Sequence, residues 1–380
     1  MTVWEPLEGS PAVDALARQV AGDAAHAWLL AGPPGSGKRP AAAAMAAAFN
    51  CPEEPGVGCG RCSTCLRILR YRHPDVHRIQ PEGPIISVDV IREGVIPEAA
   101  RSTFEASHKV FIIEEAEKMN PQAQNAMLKT LEEPQQGTVF ILVSDDPEEL
   151  LETVRSRCRV VKLDPVPEER MVAALERQGA QPEEALLAAR IAEGDLDHAR
   201  ALALEPDAQR RRRTWLSLTR RLSSPVDALD AATEVIEEAK AAVREHEQLQ
   251  KSEVVELAEA MGEGRGTAHA RNALVKRHKR ELRRLEEETL GDALQTLGSF
   301  YRDVLAVRAG GEEGVANLDH LDEFRSWAEG DVTDAALLRA VERCVEARAA
   351  LPKNANVPVA IEAVLTDLAR LVPPQVRVGA

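Results

Sequence analysis

Apolar residues in the first half of the chain collect in short runs, unbroken at 27–31, 110–113 and 139–143 and interrupted only by Lys162 at 160–163, whereas in the second half they return at every third or fourth position. Runs of four or five bounded by polar or turn residues read as buried strands. The first run enters Gly32-Pro-Pro-Gly-Ser-Gly-Lys38, and an alanine-rich stretch at 41–49 follows, giving strand, loop and helix in succession. An amphipathic helix is expected over 120–131, opened by Asn120 as cap and Pro121 in the first turn. Strands alternating with helices imply a parallel sheet covered on both faces. Beyond 163 the strand signals fade, and 165–204 reads as short helices ending in Glu193-Gly-Asp-Leu-Asp-His-Ala-Arg200.

Ser223-Ser-Pro225 then opens a long helix with apolar positions at Leu229, Ala232, Ile236, Ala239 and Val243. Gly262-Glu-Gly-Arg-Gly266 breaks it, and a second helix over about 269–308 carries Leu282, Leu285, Leu294, Leu297, Tyr301 and Val304 on one stripe. An antiparallel helical pair is the simplest arrangement. Gly310-Gly311 reads as a loop, and 333–371 supplies the last helices, interrupted at 352–358. No internal repeat is present. At 380 residues the chain exceeds one ordinary core, so three domains are expected: 1–165, 166–206 and 207–380.

Composition narrows the function. A formal net charge of −15 repels phosphate backbones, so any DNA contact must come from local basic clusters such as Arg210-Arg-Arg-Arg213 and 271–284, or from partner chains. Such runs are more often solvated faces or partners of acidic neighbours, here 253–263. The start Met1-Thr2-Val3-Trp4-Glu5 lacks the basic and apolar regions of a secretion signal, and no apolar run approaches the ~20 residues of a membrane span. A soluble cytoplasmic protein is expected, with no membrane partner.

Three motifs carry chemistry. Gly32, Gly35, Gly37 and Lys38 fit a phosphate-binding loop, in which backbone N–H groups and a lysine surround phosphate oxygens, but Arg39 stands where a hydroxyl would hold Mg²⁺. A loop built for nucleotide yet impaired in metal binding is favoured over a bare glycine turn. Glu114 and Glu115 follow the strand at 110–113, at the end where open α/β sheets bind ligands. Aspartate is usual at the first of these positions, so Glu114 is one methylene too long for metal, while Glu115 suits activation of water; an acidic loop without chemistry is the other reading. Cys51, Cys59, Cys62 and Cys65 offer four soft ligands within fifteen residues, the last three as C-x-x-C-x-x-C. That set suits a closed, structural Zn²⁺ site, with an iron–sulfur cluster or free thiols as alternatives.

Together these residues resemble the delta-prime and gamma/tau family of bacterial DNA polymerase III clamp-loader subunits, over roughly residues 1–200. The resemblance runs through His26-Ala-Trp-Leu-Leu30, the phosphate loop, the four cysteines, His73-Pro-Asp-Val76 and Ile86-Ser-Val-Asp-Val-Ile-Arg92. Its most specific parts are Asn125-Ala-Met-Leu-Lys-Thr-Leu-Glu-Glu-Pro134 and Arg155-Ser-Arg-Cys158. Less specifically, 270–284 and 299–304 are similar to the longer delta-prime chains of high-GC Gram-positive bacteria.

The resemblance implies an α/β AAA+ domain with a parallel sheet and zinc-binding insert, an all-α lid, and an all-α collar. It implies a hetero-oligomeric ring with gamma/tau and delta subunits, acting on the sliding clamp and primed DNA. Arg157 is then the arginine presented to ATP on a neighbouring subunit, and Ser144 the polar sensor at its strand's end. Arg39, Glu114 and the acid Asp197, where ATPase relatives place a sensing arginine, move the likeness toward the delta-prime side, with ATP or ADP bound weakly and little intrinsic ATPase. Lys38 keeps open an active gamma/tau-type ATPase; a zinc-dependent nucleic-acid-binding protein is the second alternative.

Overall fold

A computed structural model of the chain describes residues 2–7, 10–22, 25–81, 83, 85–261, 265–351 and 356–373. It comprises two compact units, Met1–Leu204 and Glu205–Ala380. In the first, α1 (Pro11–Ala21), β1 (Ala27–Ala31), α2 (Lys38–Asn50), α3 (Ser63–Leu69), β2 (Val76–Ile79) and α4 (Ile96–Ala99) precede β3 (Lys109–Ile113), α5 (Pro121–Glu132), β4 (Thr138–Ser144), α6 (Glu152–Arg155) and β5 (Arg159–Lys162). The five strands form one parallel sheet in the order β2-β3-β4-β1-β5.

Every residue of β1, β3 and β4 is buried because the two faces are covered separately. Trp28, Leu30, Val110, Ile112 and Ile141 meet α1 and α2 on one face; Leu29, Phe111, Ile113, Phe140 and Leu142 meet α5 on the other. The alanines of α2 from Ala41 to Ala48 are all buried, and their small side chains let this helix lie close to the sheet. In register across the second face, His77, Phe111 and Phe140 stack at centroid spacings of 4.8 and 5.1 Å.

After the sheet in the same unit, α7 (Glu168–Arg177), α8 (Pro182–Ala192) and α9 (Leu196–Leu204) surround their own alanine-rich cluster. The second unit contains α10 (Pro206–Leu218), α11 (Pro225–Met261), α12 (Arg265–Arg308), α13 (Leu321–Ala328), α14 (Asp334–Ala350) and α15 (Val357–Leu371) around an aliphatic and aromatic core. No helix among the described residues is long and apolar enough to cross a membrane.

Two expectations need correction here. Ala232, Ile236 and Ala239 are buried as expected, together with Ala228, Ala231 and Val235, but Leu229 is 48% exposed, so the inward stripe of α11 is carried largely by alanines and leaves Leu229 out. Arg212, in the basic run of α10, is buried and bonds both carboxylate oxygens of Asp319 at 2.7 Å and Asn317 at 2.8 Å. It is a core ion pair rather than a free cation. In the second basic cluster, Arg283 and Arg284 bond Glu287 and Glu288 one turn on, at 2.9 and 2.8 Å. Residues 262–264, 352–355 and the side chains at 252–273 lie outside the described residues, and with them the glycine break, the interruption before α15 and the acidic partners expected at 253–263.

Asp75, fully buried just before β2, fixes the loop that leads into β3. Its carboxylate accepts N–H groups of Phe104, Glu105 and Ala106 at 2.6, 2.9 and 2.9 Å. Burial pushes the Asp75 carboxyl up, but the three N–H donors outweigh it and hold it below its ordinary value of 3.8. A depressed carboxyl stabilises the fold above its unfolded-state pKa and loses that contribution as pH falls through the lower folded value. Asp75→Ala is therefore expected to lower unfolding free energy by about 2 kcal/mol at pH 7, through the stranded donors. The gap between variant and parent in urea melts should narrow as pH falls below 3.8.

Candidate functional site

The phosphate loop leaves β1 at the carboxyl end of the sheet and turns into α2. Gly35 and Gly37 adopt φ of +79° and +78°, a left-handed backbone that side chains disfavour. Gly32 is required for space, since a Cβ there would lie 2.1 Å from the Leu163 carbonyl oxygen at the end of β5. The loop geometry expected of a nucleotide fold is thus present, and the chain's own charges fill it.

Lys38 is buried, and its ammonium donates to the carbonyl oxygens of Gly32, at 2.7 Å, and Pro33, and to Ser36 Oγ at 3.2 Å. It also pairs with Asp145, just past β4, at 2.9 Å. A Cβ added at Gly35 would fall 2.5–2.6 Å from the Asp195 side chain, so this carboxylate, which also caps α9 through His198 N–H at 2.9 Å, lies directly on the loop. Asp195, two residues before the Asp197 singled out from the sequence, is the acid that meets the glycines.

Arg39 reaches over the tip of β3. Its guanidinium lies 3.4 Å from Glu114 and 3.6 Å from Glu115. Glu114 has no solvent exposure and also receives Arg78 through two bonds of 2.7 and 3.1 Å and Gln80 at 3.0 Å. Glu115 sits at φ +50°, a left-handed conformation rare for a residue with a side chain, and pairs with Lys118. Ser144 is fully buried near Glu117, whose carboxyl is raised by burial, and neither Ser144 Oγ nor Glu117 Oε2 finds a hydrogen-bond partner among the described residues. Lys38, Arg39, Glu114, Glu115 and Ser144 therefore converge at the ends of β1, β3 and β4. The sequence offered no signal for Arg78, Asp145 or Asp195, because each arrives from a distant element.

The four cysteines form a second centre. Their sulfurs all lie within 4.8 Å of one another; four thiolates about 2.3 Å from one ion stand roughly 3.8 Å apart. Backbone N–H groups already point at three of the sulfurs: Glu54 and Cys59 at Cys51 (3.3 and 3.4 Å), Cys62 at Cys59 (3.3 Å), and Cys65 at Cys62 (3.3 Å). Burial raises the Cys51 thiol, but its donors outweigh this and bring it to about 7. Cys59 and Cys65 are held high, by burial first and then by the neighbouring sulfurs. The set can hold a metal ion.

Arg157 lies apart from both centres, in the turn between α6 and β5. Its Nε donates to Glu132 Oε1 at 2.6 Å, Nη2 bonds the same oxygen, and Nη1 donates to the Thr153 carbonyl at 2.7 Å.

Strand order, a glycine loop after β1, paired acids after β3 and a following helical cluster together define an AAA+ type nucleotide-binding fold. Residues 10–167 match the family model described as DNA polymerase III, delta subunit. The DNA polymerase III subunit delta-prime of Bacillus subtilis is 35% identical over 43% of this chain and 50% of its own length; that of Pseudomonas aeruginosa is 41% identical over 39% and 46%. The B. subtilis tau subunit is 36% identical over 35% of this chain and 24% of its own. Within its N-terminal portion the chain is similar to the delta-prime subunits of DNA polymerase III, with gamma and tau subunits among the further matches. The chain spans about half the length of the delta-prime relatives it matches.

If Glu114 serves to neutralise buried guanidinium, Glu114→Ala should destabilise the chain by about 3 kcal/mol, since Arg78 is left half-enclosed without its anion. Glu115→Ala, which removes only more exposed pairs, should cost below about 1 kcal/mol. Urea denaturation of the two variants checks the contrast.

Proposed function

We propose that this chain is the delta-prime subunit of a bacterial clamp loader, a mainly structural member of a hetero-oligomeric ring with gamma/tau and delta subunits that loads the sliding clamp onto primed DNA. On this reading 1–165 is the nucleotide-fold domain, 166–206 its lid and 207–380 the collar. The observation that carries it is the internal neutralisation of the nucleotide site. Arg39 puts a fixed positive charge beside Glu114 and Glu115, where a nucleotidase needs an exchangeable metal, and Lys38 is committed to its own loop and Asp145. Asp195 on Gly35 adds a negative charge where phosphate would arrive. Binding nucleotide requires breaking these contacts, so ATP or ADP binds weakly and intrinsic hydrolysis is slight.

The purified chain is expected to hydrolyse ATP no faster than a Lys38→Ala control. Robust turnover dependent on Lys38 would instead favour the gamma/tau-type ATPase, which the retained lysine and Ser144 support. Tight, salt-sensitive DNA binding by the chain alone would favour the nucleic-acid-binding alternative. Native mass spectrometry of the chain mixed with the other subunits tests assembly in the same preparation.

Cys51, Cys59, Cys62 and Cys65 would hold one Zn²⁺, whose all-sulfur shell leaves no open position and so makes the ion structural. Metal analysis of protein purified without chelator should give one zinc per chain, and replacing Cys62 and Cys65 should remove it. Because the ligands bind as thiolates, zinc affinity should fall as pH falls. Stoichiometric zinc in the doubly substituted chain would refute the assignment.

Arg157 would complete the ATP site of a neighbouring subunit. Guanidinium is permanently charged and forked, suited to two phosphate oxygens. Arg157→Ala should leave zinc content and assembly intact while lowering DNA-stimulated hydrolysis at the adjoining site, where such fingers contribute about 10³ to 10⁵ in rate, diluted across a whole complex by intact sites. Arg157→Lys should rescue poorly. Equal loss from Arg155→Ala would remove the reason for assigning the role to Arg157.

A further inference from the structure

Glu132 is the last residue of α5, a place where a carboxylate meets the negative end of the helix dipole and is locally unfavourable. Its partner Arg157 is 31% exposed and Glu132 itself 46%, and exposed ion pairs add little to stability. Neither helix propensity nor stability accounts for the pairing.

The backbones on both sides are firmly held. Leu131 and Val154 are fully buried in one cluster, with Cys158 packed against it, and the Leu131 carbonyl bonds His26 Nε2 at 2.9 Å, just ahead of β1. The turn that carries Arg157 is closed by Arg157 N–H to Val154 and Cys158 N–H to Arg155, each at 3.1 Å. Glu132 and Arg157, 25 residues apart, thus meet from two fixed supports.

Guanidinium has five N–H donors. One on Nε and one on Nη2 go to Glu132 and one on Nη1 to Thr153, so among the described residues one N–H on each terminal nitrogen meets no partner. That remaining pair is the complement of two oxygens on one phosphate, and the side chain is already ordered before any phosphate arrives.

We infer that Glu132 is a positioning residue for Arg157: it grips the guanidinium by its Nε side and presents the two outer donors to the neighbouring subunit's nucleotide. The inference rests on the reading of Arg157 given above. It also assigns to the Glu132 side chain a role that its place in a helix terminus does not explain.

The test is a double-mutant cycle in the reconstituted complex, read as the rate constant and KM for ATP of DNA-stimulated hydrolysis, with melting temperature and zinc content of each subunit as controls. Glu132→Ala should lower the rate constant about tenfold at the affected site with KM for ATP little changed, as expected when orientation rather than binding is lost. Glu132→Gln should stay near the parent, because its amide oxygen still accepts from Nε and Nη2. Adding Glu132→Ala to Arg157→Ala should cause no further loss. A further loss in the double variant, unchanged or faster hydrolysis by Glu132→Ala beside a damaged Arg157→Ala, or an Ala-like Gln variant would each overturn the positioning role while leaving the finger reading intact. Full activity of Arg157→Ala would overturn both.

Discussion

Glu114 brings a carboxylate to the end of β3 with no access to water, and a charge placed there must be neutralised on the spot or the strand end cannot stay folded. Arg78 and Gln80 reach it from β2 and the residues after it, and Arg39 reaches it from the first turn of α2. The edge strand β2, its inner neighbour β3 and the phosphate-loop helix are thereby joined at one point. In an active nucleotide site of this fold, that point belongs to an exchangeable metal and the phosphates it bridges. Here covalently attached cations occupy the same electrostatic position, and the committed Lys38 and nearby Asp195 follow the same rule: each charge is answered within the chain.

The cysteine segment solves a different problem. Between Asn50 and Ser63 there is little apolar surface and much turn, too little to fold by burial alone. A metal held by the four converging sulfurs would supply a cross-link, and neighbouring segments lean on the loop that carries them: Val3 N–H bonds the Gly58 carbonyl at 3.0 Å, Trp4 Nε1 bonds Val57 at 2.9 Å, and Gly56 packs on Ala21 at the end of α1. A metal held there would order the chain's N-terminal segment as well as the loop itself, without touching the carboxyl ends of the strands. This separation is the physical reason to treat a metal bound there as scaffolding.

What the sequence made legible follows from how local each signal is. The runs at β1, β3 and β4 stand out because those strands are buried on both faces. β2, Val76–Ile79, hides behind His77 and Arg78 because it is a half-buried edge. The cysteine spacing and the loop glycines are contiguous and readable. α3 lies inside the cysteine segment and is too short to show a period. Asp195 meets Gly35 across 160 positions, Arg78 meets Glu114 across 36, and Arg212 finds Asp319 across 107; no window of sequence contains such pairs. On α11, Leu229 reads from the sequence as inward while Ala228 and Ala231 carry the packing, because alanine is a weak hydrophobic marker, although in a close-packed helix pair it is the residue that fits.

Arginine is used in two opposed ways in this chain, and the difference lies in how many of its donors the protein consumes. Arg39 lies between two carboxylates of its own chain, acting as a fixed counter-ion. Arg157 is held from one side by a single carboxylate oxygen and one carbonyl, leaving among the described residues a donor without a partner on each terminal nitrogen. Lysine could serve neither place equally well, since a point charge on a flexible stem would neither bridge Glu114 and Glu115 nor be gripped at one edge while exposing another. In the proposed assembly the two uses depend on one another. A subunit whose own site is closed by internal charge has no bound phosphate to order its surface, so the aim of Arg157 has to come from side chains such as Glu132.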